Sequence, residues 1–163
     1  MSYLVPAGTA LGTAMAILTT STGATVTGMF TVERVVPGLF AANSTGSGVA
    51  AGLAIRVAPG GAQTTSYLFD LSSRDLPVNV DLTVPGDVYL SLYGTGFRGA
   101  TGPATATVGG VNVPVLGFAA VPVYQGEDVV NIGPLPKTLG SGIKNIVLTF
   151  ASKVANTVTV GIR

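Results

Sequence analysis

The chain has 163 residues, of which 9% are charged and 47% hydrophobic, with a net charge of +1, no histidine and no cysteine. That length fits one domain or two small ones. Lack of histidine removes the commonest general base and zinc ligand, and lack of cysteine removes disulfides and thiolate metal sites.

From the N-terminus, residues 1–32 carry no charge, yet Pro6, Gly8, Gly12, Gly23 and Gly28 interrupt them. No window reaches the roughly 18–20 apolar residues of a membrane helix, so no membrane span is expected. Met1 leads straight into Ser-Tyr-Leu-Val-Pro without a basic or continuous apolar region, so no secretory signal is read in this chain. Short Val/Thr/Ile/Leu runs between 23 glycines and 10 prolines predict strands and turns. The strands expected are 2–5, 13–20, 25–35, 50–58, 66–69, 78–82, 87–93, 104–108, 111–118, 127–132, 143–150 and 156–162. Residues 37–48, small and polar, read as a loop or linker. Gly109-Gly110 tolerates the positive φ of a type I′ turn and predicts a hairpin.

Period-2 alternation puts Val88, Leu90 and Leu92 on one face, as it does Ile146, Leu148 and Phe150, and Val158, Val160 and Ile162. Strands buried on one side build sandwiches. Leu90, Leu92, Ile146, Leu148, Val158 and Val160 are the expected core.

An internal repeat organises the chain. Leu4-Val5-Pro6, Leu11-Gly12, Ala16-Ile17-Leu18-Thr19 and Thr25-Val26-Thr27 are echoed by Ile132-Gly133-Pro134, Leu139-Gly140, Ile146-Val147-Leu148-Thr149 and Thr157-Val158-Thr159. Each copy reads as the last three strands of a small sandwich. The expected fold is therefore an all-β, immunoglobulin-like β-sandwich in two units: 1–85, incomplete and containing the 37–48 loop, and 86–163, complete. The first needs strands from 50–69 or from a neighbouring chain.

Tyr3-Leu4-Val5-Pro6-Ala7-Gly8, Pro37-Gly38-Leu39-Phe40-Ala41-Ala42, the run Val88-Tyr89-Leu90-Ser91-Leu92-Tyr93-Gly94-Thr95-Gly96-Phe97-Arg98, Val108-Gly109-Gly110 and Ala155-Asn156-Thr157-Val158 stand in this order. Together they resemble the C-terminal domain of large secreted proteins of Solibacter-type Acidobacteria, over nearly the whole chain. The resemblance implies a β-sandwich appended to exported proteins, with no catalytic residues to carry over. Here the chain starts inside what would be the first unit, and the match loosens around Gln125-Gly126-Glu127-Asp128.

Chemistry-bearing motifs are sparse. Gly94-Thr95-Gly96-Phe97-Arg98-Gly99 fits GxGxxG after a strand, but Ala100-Thr101-Gly102-Pro103 cannot open the helix a dinucleotide needs, so it reads as a strand-end loop and no cofactor is expected. Seven carboxylates, Glu33, Asp70, Asp75, Asp81, Asp87, Glu127 and Asp128, read as solvated or turn residues; Asp70, Asp75 and Asp81 could approach a calcium ion only through folding. Asn43-Ser44-Thr45 is a glycosylation sequon in a small-residue loop, making Asn43 a candidate glycan site. Eight scattered basic residues offer no run for a phosphate backbone, so nucleic acid is not an expected partner.

The expectation is a non-enzymatic structural subunit of an extracellular filament or cell-surface assembly, a homopolymer built head to tail by strand exchange. Ser2, Tyr3, Leu4 and Val5 are the expected donor strand at the subunit interface, and glycans or cell-surface components are further partners. The rival reading is a secreted monomeric module that binds carbohydrate or protein, with Tyr3, Tyr67, Tyr89, Tyr93 and Tyr124 as candidates for stacking.

Overall fold

The computed structural model describes residues 4–6 and 8–163 and is all-β. Thirteen strands are described: β1 Gly12–Thr19, β2 Thr25–Val32, β3 Gly38–Leu39, β4 Gly52–Val57, β5 Gln63–Tyr67, β6 Asp87–Thr95, β7 Ala104–Val108, β8 Val111–Val113, β9 Val115–Ala120, β10 Asp128–Ile132, β11 Gly142–Phe150, β12 Lys153–Val154 and β13 Val158–Ile162. One 3₁₀ turn, Lys137–Leu139, precedes β11.

The chain falls into two compact units, residues 1–34 and 35–163. This corrects the division expected at 85/86. β4 pairs with β6 through six residues, from Gly52↔Leu92 to Val57↔Asp87, so one continuous sheet runs across that position. Strands β4 and β5, read as potential completion for the first unit, belong to the second.

The second unit holds two antiparallel sheets. One runs β5-β4-β6-β10-β9 with β3 added beside β6; the other runs β12-β11-β7-β8 with β13 also paired to β11. Alternation buries one face of each. Val88, Leu90, Leu92, Val130 and Ile132 from the first sheet and Val108, Ile146, Leu148, Phe150, Val158 and Val160 from the second are all at most 1% exposed and share one core. All six expected core residues are among them. At one end Phe97 stacks on Phe150, centroids 4.5 Å apart, and Phe118 meets both rings edge-on, geometries that add to area burial.

Turn chemistry sets the register locally. Gly109 and Gly110 take φ of 58° and 81° and close the β7–β8 hairpin as expected. The predicted strand 111–118 is split at Pro114, which has no N–H to donate, and its halves pair differently: β8 with β7, β9 with β10. Residues 78–82 form no strand; Val80 makes a single parallel bridge to Ile162, and Val49 another to Thr159.

The 37–48 segment is fastened rather than free. Leu39, Ala41 and Ala42 are buried, and Asn156 ties the segment down: its Oδ1 accepts from Leu39 N at 2.7 Å, and its Nδ2 donates to the carbonyls of Leu39 and Gly46 at 2.9 and 2.7 Å. A side-chain amide here supplies the partners that a buried irregular backbone requires.

The first unit contains the β1–β2 hairpin, paired from Gly12↔Val32 to Thr19↔Thr25. Leu4 and Val5 lie outside any strand and are exposed, which corrects the expected strand 2–5 at these two positions. Ser2 and Tyr3 lie outside the described residues.

Candidate interaction surface

Directly paired residues of an antiparallel hairpin share a face. One face of β1–β2 therefore carries Gly12, Ala14, Ala16, Leu18, Val26, Gly28, Phe30 and Val32, with no polar side chain; the other carries five threonines with Met15, Ile17 and Met29. Leu18 is 42% exposed and Val26 63%.

The same construction recurs at the other end of the chain. Adding 130 to each number turns Gly12↔Val32, Thr13↔Thr31, Ala14↔Phe30, Met15↔Met29 and Ala16↔Gly28 into Gly142↔Ile162, Ile143↔Gly161, Lys144↔Val160, Asn145↔Thr159 and Ile146↔Val158, the five pairs of β11 with β13. Gly12 and Gly142 both open their strands at positive φ, 114° and 100°. Ala16, Leu18, Gly28, Phe30 and Val32 fall on Ile146, Leu148, Val158, Val160 and Ile162, which are at most 3% exposed. The apolar face of the hairpin is thus the counterpart of a core face. In the second unit, β11 also has β7 along its free edge, paired from Ile146↔Val108 to Phe150↔Ala104; β1 pairs only with β2 among the described strands.

The charged residues have specific structural work. Asp128 is fully buried, against its expected solvated role. Its Oδ2 accepts from the backbone N–H of Phe97 and Arg98 at 2.9 and 3.0 Å, its Oδ1 pairs with the Arg98 guanidinium, and Arg98 also donates to Glu127 O at 2.7 Å. This carboxylate fixes the glycine-rich 94–99 loop, whose Gly94 and Gly96 lie so close to the backbone oxygens of Gly38 and Val36 that a Cβ would collide. The GxGxxG match is a packing feature between β6 and the 36–38 backbone. A lone Asp after a turn gave no sequence signal of burial.

Asp70, Asp75 and Asp81 do not converge. Asp70 accepts from the Ser72 hydroxyl and from the N–H of Ser72 and Ser73, which hold its carboxyl below the usual range. Asp81 accepts from the Thr83 hydroxyl at 2.6 Å, from Arg163 at 2.8 Å and from Thr83 N at 2.9 Å, and is pushed further down by the same contacts. Asp75 accepts from Asn43 Nδ2 at 2.7 Å. Among the described residues no three acidic side chains group as metal ligands, and none of the described helices is long and apolar enough to cross a membrane. The Asn43 amide is engaged on both sides, its oxygen receiving Thr45 N and Oγ1; a glycan on Nδ2 would take one of its two hydrogens and leave the other for Asp75.

Comparison with protein-family models, curated proteins and solved structures finds no match to this chain.

Proposed function

We propose that the protein is a non-enzymatic structural subunit that assembles with further copies of itself outside the cell, head to tail, through its N-terminal segment. The observation carrying this reading is the β1–β2 hairpin, which repeats the register of β11–β13 while its core-type face stays exposed. A two-stranded hairpin is marginal in water by itself, and an apolar sheet face calls for a covering layer. That layer is supplied by a neighbouring copy. Sheet edges are ordinarily guarded by charge; β5 and β9, at the two ends of one sheet, carry none, so either edge can receive β1 by main-chain pairing while side chains cover the apolar face. Donor and acceptor surfaces differ, which makes the contact heterologous and the product a filament unless it closes into a ring.

The low charge of the chain and its resemblance to domains of exported acidobacterial proteins support the extracellular setting. The parallel bridges Val49–Thr159 and Val80–Ile162 at the edge of β13 support an immunoglobulin-like type of sandwich, in which first and last strands run side by side.

Light scattering on size-exclusion fractions, with electron microscopy, tests the reading. The intact chain should form concentration-dependent oligomers, and Leu18→Asp or Phe30→Asp should dissolve them without lowering the melting temperature of the second unit. A chain that stays monomeric at high concentration, or variants that assemble undiminished, would overturn it. Removing residues 1–5 locates the element further: assembly that survives assigns it to the hairpin, and assembly that disappears assigns it to the segment of Ser2, Tyr3, Leu4 and Val5.

A further inference from the structure

The outer face of the larger sheet has a different character from the hairpin. Because Leu90 and Leu92 point into the core, Tyr89, Ser91 and Tyr93 of β6 point away from it. Beside them lie Ile55 and Val57 of β4, Gln63 of β5 and Asn131 of β10, in the registers Ile55↔Tyr89, Val57↔Gln63 and Asn131↔Ser91. Six of these side chains line an open trough of about 400 Å³, none of its lining residues being charged.

Two of its groups are held in place. The Tyr89 ring lies against Gly133, where φ is 136° and an added Cβ would sit 2.8 Å from Tyr89 Cδ1, so glycine at 133 is what lets the ring occupy that position. Ser91, only 8% exposed, donates its hydroxyl hydrogen to Asn131 Oδ1. With its oxygen occupied, the Asn131 amide presents its NH₂ end as the donor. Asn131 and Gln63 are themselves exposed.

We propose that this trough binds a neutral saccharide, stacked on Tyr89 and hydrogen-bonded by the amides of Asn131 and Gln63. A pyranose ring has an apolar C–H face and a rim of hydroxyls that both donate and accept. A tyrosine ring flanked by aliphatic Ile55 and Val57 matches the first; the Asn131 amide as donor and the Gln63 amide as donor and acceptor match the second. Lack of charge in the lining removes the ion pairs that an acidic sugar or a phosphate would call for. Tyr93 continues the face four residues along β6, about 13 Å away at strand rise, room for a chain of sugars rather than a single one. This site is separate from the hairpin and does not depend on assembly.

Isothermal titration of the intact protein with cellohexaose, mannohexaose and chitohexaose, and with hexagalacturonic acid as the acidic comparison, tests it. At least one neutral hexasaccharide should bind saturably at one site per chain, more tightly than the acidic one. Tyr89→Ala should weaken that binding about tenfold or more, a difference of about 1.4 kcal/mol. Asn131→Asp, an exposed change that leaves the core untouched, should weaken it at an unchanged melting temperature, while Tyr124→Ala, at an exposed tyrosine elsewhere, should leave it unaltered. Absence of binding by all three neutral sugars, tighter binding of the acidic one, or equal loss in Tyr124→Ala would overturn the proposal. So would a change of oligomeric state in Tyr89→Ala without any sugar binding, which would make the face a protein contact.

Discussion

The β1–β2 hairpin and the β11–β13 pair share five residue pairs of strand register and much of an apolar face, yet Leu148 is fully buried and its counterpart Leu18 is 42% exposed. Register and face pattern are local properties, set by alternation and by the glycines that open each strand. Burial is not local. It depends on whether a second sheet lies over the face, and within the second unit the larger sheet shares one core with that of β11 and β13. The pair therefore separates what a strand sequence can specify from what its surroundings must add.

The sharpest way to break the comparison is to truncate matched core positions. Phe150→Ala, within the three-ring cluster, should destabilise the second unit by about 3–5 kcal/mol, and Leu148→Ala by about 2–5 kcal/mol. Leu18→Ala, in dilute chain below the assembly concentration, should cost under about 0.5 kcal/mol, the range of surface changes. Denaturant unfolding of the three variants checks this, and comparable costs at Leu148 and Leu18 would mean that the hairpin face is already covered.

Asp128→Ala should follow, at about 2–3 kcal/mol, because it leaves two N–H groups without their carboxylate and unpairs the partly exposed Arg98 guanidinium. Asn156→Ala should cost about 1–3 kcal/mol by stranding Leu39 N–H and two carbonyls, with faster amide exchange confined to residues 37–48. Neither change should alter the hairpin.

The smallest effect is that of acid. Asp70 and Asp81 are depressed below the ordinary carboxylate value by hydrogen bonds formed in the folded state. Their contribution is fully present above about pH 4 and is lost as pH falls through the lowered folded values. Thermal melts should therefore be level between pH 5 and 8, where no histidine titrates, and should fall modestly below pH 4. Asp70 and Asp81 both lie in residues 35–163, so this loss belongs to the second unit.

Most of the longer strands, the six core residues and the Gly109-Gly110 turn were legible because alternation and glycine conformation are written in neighbouring residues; the expected strands 2–5 at Leu4 and Val5 and 78–82 were not formed. The unit boundary was not, since nothing adjacent to residue 85 reveals that β4, some 35 residues upstream in sequence, pairs with β6. Asp128 and Asn156 escaped for the same reason: their partners lie at separations of about 30 and 117 residues. The repeat was visible as echoed short runs, and strand pairing showed that five residue pairs of it share a single offset of 130. On the outer trough of the larger sheet, the tyrosines could be named from sequence, but the Ser91–Asn131 bond that orients the amide required the register of β6 with β10.

Amide hydrogen exchange of the intact chain as a function of its concentration tests the central claim most directly. If a neighbouring copy covers the hairpin, amides of β1 and β2 should exchange fast in dilute solution and slow progressively as concentration rises, while those of β11 and β13 stay protected throughout. Exchange in β1 and β2 that is independent of concentration, whether fast or slow, would contradict it.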